Sequence, residues 1–460
     1  MPYFGKCDNI NHQKFEIPPR SIRRITINMN FQKLYNEKKM TPDEIVSHFG
    51  RNWTVATDIT LAIPPAIMAA LYRRAKKGAF SNLTLHTMLE MQPFDILRDP
   101  DVPGVHRVSW FSGGDFRKLI NAGAADVMPC YYRDMPKIFR SMDIDAFILP
   151  VSPMDEHGYF STGLNGSNCP ALLESAKRIY LEVNENMPRS INSPSVYIGD
   201  IAGLCENNAE LPVAKPSVID EVSRTIGEYI VDEIPNEATL QLGVGAVPDA
   251  VGFSLKDKRD LGIHTELFVD SMVELIECGA VTNLKKPYYV GKSVAAFAYG
   301  SKRIYDYIDN NPAIKLVPVD LVNDPAIIAQ MPKFISVNAA LEVDFFGQVC
   351  AESIGTMHIS GTGGQVDYVR GATSSEGGKS FIAMPSTAKG GEISRIKSML
   401  TEGSIVTTSK NDVDNIVTEY GIARLRGKSL WQRTKELISI AHPKFRDELT
   451  FEAKKRNIII

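Results

Sequence analysis

Glu266 is the residue most able to do chemistry in this chain. It lies at the end of LGIHTELF (261–268), about 20 residues after the glycine turn Gly243-Val244-Gly245. The turn directly follows the strand-like run Thr239–Leu242, and Pro248 stands where a helix should begin. Two glycines let a backbone bend sharply and approach a ligand closely. The helix start behind them offers unpaired N–H groups and a partial positive charge, which suits a phosphate or an oxyanion. An acid at the carboxyl end of a strand in a parallel sheet lies where ligands sit. Glu266 therefore reads either as a hook for a ribose hydroxyl or as a nucleophile. The spacing matches the dinucleotide fingerprint, but Pro248 replaces its third glycine and no second mononucleotide half is recognisable.

A second glycine cluster favours a phosphate-bearing ligand without choosing between these readings. SGTGGQVDYVRG (360–371) is followed by SSEGGKSFIAMPSTAKGG (374–391), with Arg370, Lys379 and Lys389 interspersed. Val366, Tyr368 and Val369 read as strand-like and mark the segment as ordered. His264 precedes Glu266 by two residues, so on a strand the two share a face. Its role is either positional or structural. His157 in DEHGY reads as ordering its loop, and Asp344, Asp367 and Glu419 read as structural polar residues.

These residues need a scaffold, and the pattern predicts an alternating α/β one. In the first half, Trp53–Thr57, Leu83–Leu89, Ala125–Pro129 and Ala146–Pro150 read as strands. Pro64–Lys77 and Pro170–Val183 read as helices and Ser195–Ile201 as extended. The polar, proline-marked stretch ENNAELPVAKPS (206–217) reads as a linker. Beyond it, Val218–Ile234 predicts a helix, with strands at Thr239–Leu242, Val281–Thr282, Leu316–Pro318, Ile335–Val337, Phe381–Pro385 and Ile405–Thr408. Ser429 is expected to cap a helix that Pro443 ends. Residues 1–40 form an arm, including the basic segment Pro18–Met29, residues 41–210 one domain and residues 211–460 a second that carries Glu266.

Bulk properties agree with an ordinary globular protein. The 460 residues suggest two domains of roughly 200 residues. Lys and Arg number 51 against 54 Asp and Glu, a net charge of −3 with no long like-charge block, so nucleic acid and membrane surfaces are not expected partners. The six cysteines form no C-x-x-C pair and no metal-ligand cluster stands out among the eight histidines. Scattered thiols and the lack of an apolar leader imply a cytoplasmic location.

The ordered motifs SPMDEHGYFS (152–161), LQLGVGAVPDAV (240–251), LGIHTELF (261–268), VNDPAIIAQ (322–330), NAALEVDFFGQV (338–349), SGTGGQVDYVRGA (360–372), PSTAKGG (385–391) and VTTSKNDVDNIVTEYGIARLRGKSL (406–430) resemble one family. It is the acetyl-CoA hydrolase/transferase branch of the family I CoA-transferases, particularly its 4-hydroxybutyrate and butyryl-CoA:acetate members. The resemblance implies two similar open α/β domains with mostly parallel sheets, short acyl-CoA thioesters and carboxylic acids as substrates, no further cofactor or metal, and a homodimer. It makes Glu266 the nucleophile that becomes a glutamyl-CoA thioester. Gly243, Val244 and Gly245, with Gln241 and Leu242 before them, would serve one oxyanion and CoA-binding site. Gly364 would supply the second oxyanion donor and Lys389 a contact to CoA, while Asn323, His264 and Ser360 would lie near the acyl group. The family pattern often has a glycine-rich turn after the first strand, where this chain has TVATDITLAIPP (54–65). A hydrolase using the same glutamate and a dinucleotide-binding module are the alternative readings.

Overall fold

The computed structural model describes residues 30–460 apart from Pro216. The basic segment Pro18–Met29 lies outside the described residues. From Asn30 onward the predicted arm is not free chain. Phe31–Lys38 is helical, with the Asn30 side chain capping it. The Tyr35 hydroxyl donates to Glu206 at 2.8 Å and its ring stacks on Phe160.

Seven parallel strands build the first sheet: β1 (Thr54–Ile59), β2 (Leu83–Met88), β3 (Val105–Ser109), β4 (Asp126–Val127), β5 (Ala146–Val151), β6 (Arg178–Val183) and β7 (Gly203–Glu206), in the order β4-β3-β2-β1-β5-β6-β7. β5 is buried at every position, as expected of a parallel strand covered on both faces. The stretch read as one long helix divides in two. Cys169–Ser175 is helical and Arg178–Val183 is β6. The run RIYLEV is rich in the branched and aromatic residues that a buried strand accommodates, and this overrides the helical spacing. Ser195–Ile201 likewise divides into a short strand, Ser195–Tyr197, and a 3-10 turn.

The second sheet holds β8 (Thr239–Leu242), β9 (Gly262–Phe268), β10 (Ser293–Ala298), β11 (Ile314–Leu316), β12 (Phe334–Ala339), β13 (Lys379–Ala383), β14 (Asn415–Thr418) and β15 (Gly421–Arg424). Their order is β11-β10-β9-β8-β12-β13-β14-β15, all parallel except the antiparallel edge pair β14/β15. Both sheets are therefore mostly parallel α/β sheets, as the sequence implied. Val281 makes only an isolated bridge to Leu261, and Thr408 only one to Val349, so neither predicted strand forms there. Ser429 caps Leu430–Ser439 through a capping box, but Pro443 opens the following helix, Pro443–Lys455, instead of closing the first. Proline at the first helical position loses no hydrogen bond.

The seam between the sheets is bonded through the loop before helix Gln365–Ser374. Tyr132 N–H donates to Gly363 O at 3.1 Å. The Asn121 side chain pairs with both backbone groups of His358, each bond 2.9 Å. Among the described residues, no helix is long and apolar enough to cross a membrane.

Candidate active site

β8 and β9 lie side by side and parallel, so the glycine turn and Glu266 emerge at the same sheet edge. Gly243 N–H donates to Val337 O at 2.8 Å, which extends the β8–β12 pairing by one residue. That amide is committed, so the donors this turn can offer a ligand are those of Val244 and Gly245. Gly245 has φ +123°, a region open to glycine alone, and directly precedes helix Ala246–Phe253. Under the turn, Gln241 Oε1 accepts from Ser336 Oγ at 2.7 Å and from Asn338 Nδ2 at 3.3 Å. Gln241 thus joins β8 to β12, and its side chain is already engaged.

Glu266 faces a cleft of about 260 Å3 whose lining includes Gln241, Leu242, Gly243, Val244, Phe111 and the loop Ser360–Gln365. Asn323 Nδ2 donates to Glu266 Oε2 at 2.9 Å. Gly364 packs against the same oxygen. A Cβ placed on Gly364 would overlap both Glu266 Oε2 and Asn323 Nδ2. Burial pushes the Glu266 carboxyl up to about 7, with the Asn323 hydrogen bond pulling the other way.

His264 does not touch the carboxylate. It is fully buried, its Nε2 bonds Val322 O at 2.7 Å, and its ring meets the edge of Phe334. Burial lowers it to about 3, so the ring is neutral. The Tyr368 hydroxyl donates to the same Val322 oxygen at 3.3 Å. His264 and Tyr368 therefore fix the peptide unit that leads into Asn323. Ser360 lines the cleft, with its hydroxyl donating to Gly361 O at 3.1 Å. Lys389 is exposed on the hairpin formed by Thr387–Ala388 and Ile393–Ser394, with φ +49°, outside the lining of the cleft.

Sequence reasoning passed over two participants. Asp367, read as merely structural, is buried in the first turn of helix Gln365–Ser374, with Arg133 Nε 3.4 Å from its Oδ1. Burial, reinforced by the charge of Glu266, raises it to about 8 against the pull of Arg133. Its place in the quoted GGQVD motif was the available signal. Phe111, at the cleft wall, lies in the loop after β3 and has no sequence pattern to mark it. Val366, Tyr368 and Val369 are helical, not strand-like. The left-handed bend after β1 falls on Thr60, with φ +53°, in the segment where the family pattern often has glycine.

The chain belongs to the acetyl-CoA hydrolase/transferase family: residues 24–199 match the family's N-terminal domain and residues 300–453 its C-terminal domain. It is 40% identical to a 4-hydroxybutyrate coenzyme A transferase of Clostridium kluyveri, over 93% of this chain and 100% of the relative. It is 39% identical to a butyryl-CoA:acetate CoA-transferase of Anaerostipes caccae, over 94% and 99% respectively. The crystal structure of RipA from Yersinia pestis superposes with a TM-score of 0.90 at 37% identity, covering 94% of this chain and all of that one.

Proposed function

We propose that this protein transfers CoA between a short acyl-CoA and a free carboxylate through a glutamyl-CoA thioester at Glu266. The observation that carries the reading is the environment of that carboxylate. It is desolvated, bonded through one oxygen by Asn323, and packed against Gly364. A carboxylate stripped of water is a stronger nucleophile than one in bulk solvent.

The ionised Glu266 oxygen attacks the thioester carbonyl, and collapse of the tetrahedral oxyanion expels CoA thiolate and leaves a mixed anhydride. The thiolate attacks the glutamyl carbonyl of that anhydride, releasing the original acid as its carboxylate and forming glutamyl-CoA. A second carboxylate attacks the glutamyl thioester to give a new anhydride and thiolate. The thiolate then takes the acyl group, leaving the new acyl-CoA and the free Glu266 carboxylate. Each tetrahedral stage needs preset donors, and one such donor is worth about 10²–10³ in rate. The amides of Val244 and Gly245 serve one oxyanion in this reading and the loop at Gly364 the other. Exposed Lys389 has its ammonium free for a CoA phosphate. A carboxyl pushed to about 7 is a poor ionised hook for a ribose, which disfavours the dinucleotide reading.

The test is intact mass after mixing with butyryl-CoA, followed by borohydride reduction and peptide mapping. A CoA-sized adduct with reduction at Glu266 is expected. Free CoA accumulating without an acceptor acid, and without an adduct, would replace transfer with hydrolysis.

A further inference from the structure

A second, smaller pocket opens off the cleft at the seam between the sheets. Phe111, Ser360, Gly361 and Thr362 line both cavities, so the two adjoin. Its apolar walls come from Trp110, Val127, Met128 and Pro129 on one side and Ile405 on the other, and its polar groups are those of Glu352, His358 and Ser112. We propose that this pocket receives the distal end of the acyl chain, and that it selects an uncharged chain carrying a hydroxyl over one carrying a second carboxylate. The proposal rests on the transferase reading given above.

Size comes first. The pocket holds about 60 Å3. A water-sized atom needs about 10–15 Å3 of such volume, so there is room for about four to six non-hydrogen atoms. A hydroxylated C4 chain carries about four beyond its carbonyl carbon.

Charge decides the chemistry of the far end. Glu352 is 7% exposed, and its carboxyl is bonded by the side chains of Thr407 and Thr362, the latter from Oγ1 at 3.4 Å. Burial raises its pKa against the pull of those two bonds, and in either protonation state its oxygens can accept from a hydroxyl. His358 Nε2 lies 2.9 Å from Ser112 Oγ, and burial together with nearby Arg117 lowers its pKa. Among the described residues, no lysine or arginine lines this pocket. A second carboxylate would lie beside Glu352 with no cation to offset its lost hydration, whereas a hydroxyl can donate to Glu352 or bond the His358–Ser112 pair as it stands.

The test compares acetate, butyrate, 4-hydroxybutyrate and succinate as acceptors from acetyl-CoA or butyryl-CoA, in the wild type and in Glu352→Ala. In the wild type, kcat/KM for 4-hydroxybutyrate should exceed that for succinate by at least about tenfold. In Glu352→Ala, the 4-hydroxybutyrate-to-butyrate ratio should fall about tenfold. A wild type that prefers succinate overturns the proposal. So does a variant in which all acceptors fall in equal proportion, since Glu352 would then only brace the loop whose Ile359 and Ser360 amides bond its backbone oxygen. Should Glu352→Ala fail to fold, Ile405→Trp at the half-exposed wall tests the same pocket. It should lower the 4-hydroxybutyrate-to-acetate ratio, and an unchanged ratio would exclude the pocket. If no acid accepts CoA and no Glu266 adduct forms, the transferase reading itself fails and this proposal falls with it.

Discussion

Asn323 spends one end of its amide on Glu266 and leaves the other end idle. Nδ2 donates to Glu266 Oε2 at 2.9 Å, while Oδ1 is buried without a hydrogen-bond partner among the described residues. A buried acceptor left unpaired costs free energy, so the side chain is held by its neighbours more than by its own bonds. His264 and Tyr368, both bonded to Val322 O, supply that hold.

Removing the amide should therefore weaken control of the carboxylate. The Asn323 bond opposes the burial that raises Glu266. In Asn323→Ala the bend in the pH dependence of kcat/KM for acyl-CoA should move to higher pH, by about one unit. Steady-state kinetics across pH 5.5–9 would measure it, and a bend that stays in place would remove Asn323 from this role.

For the wild type itself, kcat/KM should climb about tenfold per pH unit below 7 and level off above it, since the nucleophile must be ionised. A flat profile between pH 5.5 and 8 would show that Glu266 is not the group being titrated.

Stability should run the opposite way. The native state holds the Glu266 proton up to about 7, against about 4.5 for an ordinary glutamate. This binding favours the fold fully below the ordinary value, and the benefit is lost as pH rises through 7. Glu266→Gln keeps the shape but cannot ionise. Its unfolding free energy should match the wild type at pH 4 and exceed it at pH 8, by up to about 3 kcal/mol. Transfer should meanwhile be abolished. A variant no more stable at pH 8 than at pH 4, relative to wild type, would contradict the desolvated carboxylate.

Gly364→Ala puts a methyl group where Glu266 Oε2 and Asn323 Nδ2 meet. The backbone there has φ −100°, which alanine adopts without strain, so the damage should be local. Turnover should fall by at least about 10², with far-UV circular dichroism unchanged. Full activity would rule out the close approach of this loop to Glu266.

Lys389→Ala should raise KM for acyl-CoA several-fold and leave kcat nearly intact, because the side chain stands exposed and outside the cleft. The salt dependence of KM should flatten too, since a screened charge contact would be gone. An unchanged KM would place CoA elsewhere.

Much of this site is legible in the residue order because it depends on short-range features. A strand, a glycine turn and a helix start must be adjacent in sequence, and Thr239–Leu242, Gly243–Gly245 and Ala246–Phe253 are. Glu266 follows by the same logic. Cross-sheet placement is not legible in this way. Phe111 reaches the cleft, and Arg133 reaches Asp367, only because the seam brings distant segments together. Missed strands such as β3 and β10 are short, mostly buried runs in which period-two and helical patterns cannot be told apart. VDYVRG was misread for the same reason, since its apolar residues suit a buried helix as well as a strand.

The bonds that cross the seam divide ownership of the reaction. Glu266 and Asn323 lie in the second half of the chain, yet the loop bearing Gly364 is held by Asn121, Tyr132 and Arg133 of the first. A gene split within 207–220, where no helix or strand forms among the described residues, would yield one polypeptide with Glu266 and another with its brace. Neither would turn over alone, and co-production of the two would restore catalysis by complementation. Selection on the enzyme therefore acts on the two halves as a single inheritance, and an exchange of either half between relatives must carry the matching seam with it.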